Sequence, residues 1–154
     1  RWWGKGQRPP GIADKRFEPA YIFAAVRPAT GEDFALVLPR VSAAAMSTFL
    51  AEFAKTVPDD TLAVMVLDQA GWHDARALSV PASMTLVPLP AYSPELNPVE
   101  PVWLYLRERY LSHRLLADYE AVVEACCAAW NALTAEAGRL RSLTAYPYLK
   151  QVNP

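Results

Sequence analysis

Two acids, Asp68 and Glu100, sit in surroundings that could put a carboxylate to chemical use. Asp68 follows Leu62-Ala-Val-Met-Val-Leu67, six consecutive apolar residues. An acid just past such a run can simply mark where a strand meets water, yet open α/β sheets also place their sites beyond the carboxyl ends of strands. Glu100 closes the stretch Pro88-Leu-Pro-Ala-Tyr-Ser-Pro-Glu-Leu-Asn-Pro-Val-Glu100, a proline-stiffened approach to a helix. Asn97 suits the N-cap of that helix and Pro98 its first position, which leaves Glu100 at the third. There it either forms a capping box with the backbone N–H of Asn97 or turns into the crevice beside Asp68. Two converging carboxylates repel each other unless a cation lies between them. Hard divalent ions take oxygen ligands, keep several waters and use one or two carboxylates together with substrate phosphate. Two such ions about 4 Å apart would activate a water or hydroxyl and stabilise the leaving oxygen of a phosphodiester.

The elements that must position these acids follow from local pattern. Residues 1–12, with Gly4, Gly6, Pro9, Pro10 and Gly11, exclude a helix. Phe17 to Val26 predicts a strand, Pro28-Ala-Thr-Gly31 a turn, and Asp33 to Leu38 the return strand of a hairpin. Ser42 can cap a helix to about Lys55, with Met46, Phe49, Leu50 and Phe53 on one face. The run ending at Asp68 predicts a central strand covered on both faces. His73 to about Leu78 reads as a short helix, Met84 to Leu89 as a further strand, and Asn97 to about Leu111 as a helix buried along Val99, Trp103, Leu106 and Tyr110. Asp118 can cap a long helix to about Glu136 with Val122, Cys126, Trp130 and Leu133 inward, and the aromatic tail Tyr146-Pro-Tyr-Leu-Lys150 is expected to pack down. Strands alternating with helices in the second half imply a largely parallel sheet, with a hairpin in the first half.

At 154 residues, 53% hydrophobic and 20% charged, the chain has the size and composition of one globular domain spanning 1–154. No apolar run reaches a membrane span, so no membrane partner is expected. Adjacent Cys126 and Cys127 point in different directions on a helix and predict buried, reduced thiols in a cytoplasmic protein. The net charge of −1 argues against wholesale nucleic-acid coating, but it is uneven. Arg1, Lys5, Arg8, Lys15 and Arg16 face only Asp14 within residues 1–16, and Arg107, Arg109, His113 and Arg114 form a second basic group. Either group is a solvated face or a phosphate contact.

Leu67-Asp68-Gln-Ala-Gly-Trp-His73, followed by Leu89-Pro-Ala-Tyr-Ser-Pro-Glu-Leu-Asn-Pro-Val-Glu100-Pro-Val-Trp103, resembles the DDE transposases, in the bacterial insertion-sequence group related to the mariner elements. The Tyr-Ser-Pro-Glu-Leu-Asn-Pro-Val-Glu string carries most of the likeness. Glu100 stands 32 positions after Asp68, close to the spacing of the second and third acids in that family. Weaker echoes are Trp3-Gly-Lys-Gly-Gln-Arg-Pro9, Ala128-Ala-Trp130 and Leu140-Arg-Ser-Leu143. The resemblance implies a ribonuclease H-like fold, a mixed sheet with helices on both faces. It makes Asp68 and Glu100 catalytic metal ligands for magnesium or manganese, two ions in the complete site. The implied activity is DNA cleavage at transposon ends and strand transfer, with double-stranded DNA and a second copy of the chain in a homodimer as partners. Lys5, Arg8, His73 and Arg107 are the candidate DNA contacts, Asn97 the residue that caps the helix, and Glu95 an exposed turn acid.

The family's first acid lies on a central strand upstream of the Trp-Gly-Lys-Gly-Gln-Arg-Pro segment, and neither Asp14 nor Asp33 follows an apolar strand as that role requires. The expectation is therefore an N-terminally truncated catalytic domain that lacks the first acid, its central strand and the upstream DNA-recognition domain, and that cannot cut DNA by itself. Two other readings stand beside it: a non-catalytic remnant kept for DNA binding or self-association, and a ribonuclease H-type hydrolase acting on other nucleic acid.

Overall fold

A computed structural model describes residues 19–69, 77–112 and 114–151. The described residues begin with a hairpin, β1 (Tyr21–Val26) and β2 (Asp33–Leu38), paired antiparallel from Tyr21 opposite Leu38 to Val26 opposite Asp33. Its turn closes through two bonds of 2.7 Å, Arg27 N–H to the Glu32 carbonyl and Gly31 N–H to the Arg27 carbonyl. Gly31 has φ +83°, and a Cβ there would lie 3.4 Å from the backbone nitrogen of Arg141. A side chain at this position meets both strain and a neighbouring helix.

Helix α1 (Ala43–Ala54) begins where expected: Ser42 is extended and its hydroxyl accepts from the Ala45 N–H at 3.1 Å. Met46, Phe49 and Leu50 form its buried stripe. Strands β3 (Ala63–Leu67) and β4 (Met84–Pro88) then pair in parallel, Ala63 opposite Met84 and Leu67 opposite Pro88. After a single 3₁₀ turn at Pro94–Leu96 comes α2 (Glu100–Leu106), which runs into a π turn at Arg107–Leu111. Helix α3 (Tyr119–Thr134) is capped by Asp118, whose carboxylate accepts from the Ala121 N–H at 2.8 Å. A short α4 (Arg139–Leu143), not foreseen in the sequence, and a 3₁₀ segment at Pro147–Gln151 complete the order.

Side-chain alternation explains how these pieces stack. Phe23 and Ala25 of β1 and Phe34 and Leu36 of β2 point to α1, as do Ala63 and Met65 of β3 and Leu86 of β4. One apolar layer thus joins α1 to residues of all four strands. Ile22, Ala24 and Val26, with Ala35, point the other way, onto a second cluster built by Val102 and Leu106 of α2, Ala129, Trp130 and Leu133 of α3, and Leu140 of α4. Trp103 and Trp130 lie 6.1 Å apart at their ring centres, and the Trp130 indole N–H donates to Asp33 at 2.7 Å. That bond spends Asp33 on structure.

Three expectations are corrected. The four strands form two separate two-stranded sheets among the described residues, rather than one mixed sheet. Strand β3 is covered on one face only: Leu67 is buried, while Val64 and Val66 are 62% and 39% exposed. Six apolar residues in a row cannot say which face is covered, and α2–α4 pack against the hairpin, not against the parallel pair. Only one cysteine is buried, Cys126, where burial pushes the thiol up from its ordinary value; Cys127 is exposed on α3. The short helix expected at His73–Leu78 falls largely outside the described residues, and Ala77–Val80 is turn and coil. No described helix is long and apolar enough to cross a membrane.

Candidate functional site

Parallel pairing puts the carboxyl ends of β3 and β4 at the same end of their sheet, and Asp68 follows β3 directly there. Its neighbours on either side in the chain hold the next segment in place. The Leu89 N–H donates to the Leu67 carbonyl at 2.8 Å, extending the ladder one residue past the strand. The Gln69 side chain donates to the Leu89 carbonyl, also at 2.8 Å. Asp68 is half-buried between these two anchors.

From Leu89 the chain runs to Glu100 through bonds that leave it little freedom. The Leu96 N–H donates to the Ser93 carbonyl at 3.1 Å, and the Asn97 N–H to the Pro94 carbonyl at 2.9 Å. From the far end of the chain, the Tyr148 hydroxyl donates to the Leu96 carbonyl at 2.5 Å. The bond to Pro94 rules out the capping box, which needs the Asn97 N–H that Pro94 occupies. Asn97 is not the cap expected of it: its side-chain oxygen accepts from the Val99 N–H at 3.2 Å in the turn before the helix, while α2 begins at Glu100 with Val99 at its cap and no side-chain cap bond. Glu100 is exposed, and among the described residues its carboxylate enters no hydrogen bond or ion pair.

Arg107 stands seven residues after Glu100, almost two full turns, so both lie on one side of α2 and roughly 10 Å apart along the axis. Arg107 is exposed there. Lys5, Arg8 and His73, the other candidate DNA contacts, lie outside the described residues, as do Asp14, Asp74 and His113. Glu95 is exposed in its 3₁₀ turn. Asp68 and Glu100 are oxygen donors of the kind a hard divalent ion takes. Among the described residues, no group of three or more His, Cys, Asp or Glu side chains is gathered tightly enough to hold one. Sites for such ions can rely on one or two carboxylates, with water and phosphate filling the rest.

Arg109, grouped with Arg107 by sequence, has a different task. Glu136, at the end of α3, accepts from the hydroxyls of Tyr105 (2.8 Å) and Tyr110 and from Arg139 (2.8 Å), and pairs with Arg109 at 3.4 Å. Both guanidinium groups also lie over the Tyr105 ring, at 5.2 Å for Arg139 and 5.9 Å for Arg109. The Tyr110 hydroxyl above all, then Arg139 and Tyr105, holds the Glu136 carboxyl down at about 2. A carboxylate with a depressed folded value stabilises the fold above its ordinary value and loses that contribution as pH falls through the folded one. The expected result is a stability curve that drops between pH 4.5 and about 2, with Glu136→Gln flattening it in that window. Urea midpoints of the two proteins measured across this range check it; parallel curves would remove Glu136 from the account. Nothing in the local sequence pattern points to this cluster, because its two groups, Tyr105 with Arg109 and Tyr110, and Glu136 with Arg139, are far apart in the chain.

A family profile described as DDE superfamily endonuclease matches residues 1–123, which include β1 to α2 and both candidate acids. A relative from Sinorhizobium fredii (strain NBRC 101917 / NGR234), named uncharacterized protein y4pE/y4sA, is 48% identical over 124 residues, covering 80% of this chain and 92% of the relative. No solved structure matches.

Proposed function

Because the chain belongs to the DDE superfamily endonucleases, we propose that it is the catalytic domain of an insertion-sequence transposase, acting on double-stranded DNA at transposon ends. The proposed chemistry is metal-dependent phosphodiester cleavage followed by strand transfer. The observation that carries this reading is the placement of Asp68 off the end of β3, with Glu100 exposed and uncommitted at the head of α2. Asp68 and Glu100 would hold magnesium or manganese, which when bound supplies Lewis-acid stabilisation and an activated nucleophile. The residues themselves orient that site. Gln69 and Leu89 fix the backbone beside Asp68, and Asn97 and Pro94 fix the entry to α2. Arg107, on the same side of α2 as Glu100, would meet a phosphate of the same duplex.

The fold reading that goes with this is a ribonuclease H-like domain over 1–154. An antiparallel hairpin, a helix and a parallel pair on one shared apolar layer support it. In that fold a further strand, carrying the first acid, would join β1 to β3. The protein is placed in the cytoplasm, with a second copy as partner on DNA. A non-catalytic role in DNA binding or self-association is the second reading, favoured by the lack of a third acid beside the pair among the described residues.

The test uses linkage between metal and DNA. If Asp68 and Glu100 share an ion that also contacts phosphate, manganese tightens duplex binding and duplex tightens manganese binding by the same factor, about fivefold or more. Fluorescence anisotropy of a labelled duplex, with and without manganese, should show this for the wild type and not for Asp68→Asn or Glu100→Gln. DNA affinity that ignores manganese in the wild type would favour the non-catalytic reading.

A further inference from the structure

Tyr92 lies on the loop between the two candidate acids and is fully exposed; the next most exposed large apolar side chain among the described residues, Leu115, is 63% exposed. Tyr92 is also the one described non-glycine residue with a left-handed backbone, at φ +58°. A tyrosine there is strained, where glycine or asparagine would rest at little cost. The fold gains nothing visible in return: among the described residues the ring packs on no neighbour.

The loop nevertheless holds this ring at a fixed place. Pro88, Pro90 and Pro94 limit the backbone on both sides. The Leu89 N–H bond to the Leu67 carbonyl and the Gln69 bond to the Leu89 carbonyl anchor the loop to the residues flanking Asp68. The bonds at Ser93, Pro94 and Leu96 anchor it toward Glu100. A strained backbone thus displays a flat aromatic face into solvent on the segment that joins both acids.

From this we infer that Tyr92 is a positioning residue that stacks on an unpaired nucleobase of the DNA substrate, next to the phosphate presented to Asp68 and Glu100. The inference deepens the nuclease reading and rests on it. A phosphate or an intact duplex offers charge and edges; an unpaired base offers the exposed π face that a bare ring can cover. The hydroxyl is not needed for stacking, so the ring alone carries the interaction.

The experiment titrates the protein, with manganese, against two DNAs: a blunt duplex, and the same duplex with a single-stranded overhang carrying 2-aminopurine. Tyr92→Ala is expected to weaken binding of the overhang DNA about five- to 150-fold, the range of one base–aromatic stack, and to abolish quenching of the 2-aminopurine. Tyr92→Phe and Tyr92→Trp should keep both. Blunt-duplex affinity and the thermal midpoint should not fall in any of the three. Unchanged overhang binding by Tyr92→Ala overturns the inference, and so does a Tyr92→Phe protein that fails like Tyr92→Ala, since that would mean a hydroxyl contact. A manganese response without a Tyr92 effect overturns the stacking alone. A Tyr92 effect without any manganese response keeps the stacking and overturns the nuclease reading.

Discussion

Manganese is expected to raise the thermal midpoint of the wild-type protein by several degrees and to leave Asp68→Asn and Glu100→Gln nearly unmoved. At a metal concentration 100 times the dissociation constant, mass action stabilises the folded state by ~2.7 kcal/mol. For a chain of this length that corresponds to roughly 5–10 °C. Without metal, Glu100→Gln should match the wild type, because among the described residues the Glu100 carboxylate enters no hydrogen bond or ion pair. The metal-free baseline also tests the geometry of α2. A loss of about 1 kcal/mol on Glu100→Ala is what removal of a capping side chain would produce. The bond between the Asn97 N–H and the Pro94 carbonyl predicts no such loss. Equal manganese shifts in all three proteins would sink the shared site, whatever the DNA titrations show.

The largest effect on stability is expected from Phe49→Ala. Phe49 is 2% exposed, and its ring centre lies 5.6 Å from Phe34, 5.9 Å from Phe23 and 6.4 Å from Phe53. Removing a buried phenyl ring from such a cluster costs about 3–5 kcal/mol. That is a large share of the ~5–15 kcal/mol that holds a domain folded. The location of the cavity matters as much as its size, because α1 packs on both strand pairs. Urea unfolding followed by far-UV and near-UV circular dichroism should therefore give one lower midpoint for all signals. Leu133→Ala, in the other cluster, serves as the comparison, at about 2–5 kcal/mol. Two resolved transitions in Phe49→Ala would show that the strand pairs are independent units, and a loss under about 1 kcal/mol would deny Phe49 its place at the centre.

Much of the fold was legible because local chemistry and tertiary packing agree. Ser42 and Asp118 both extend and cap, and the apolar stripes Met46–Phe49–Leu50 and Cys126–Trp130–Leu133 are the buried faces of the helices they lie on. The hairpin from Tyr21 to Leu38 follows from alternation on either side of a glycine turn. What was not legible depends on which surface another element covers. Val64 and Val66 have the same residue types as a doubly covered strand, and only the position of α2–α4 over the hairpin leaves them exposed. Cys127 differs from Cys126 by one helical step, and that step decides its exposure. At the site, Asp68 and Glu100 could be singled out from their neighbours in sequence. The bond that frees Glu100 from capping, the Gln69 anchor and the backbone of Tyr92 are properties of the folded loop. Arg109 shows the same limit from the other side, a basic residue that pairs with Glu136 across the fold.

The bond from Trp130 to Asp33 joins residues 97 positions apart. At about 5–20 residues per second, a ribosome needs roughly 5–20 s to make that length of chain. During this interval β1, β2 and α1 can already pair and pack, but Ile22, Ala24, Val26 and Ala35 lack the α3 and α4 residues they pack against in the finished fold. Every new copy of the protein thus passes through a period, set by the speed of synthesis, in which this face of the hairpin is without its α3 and α4 partners. Ending the message before α3 would make that period permanent.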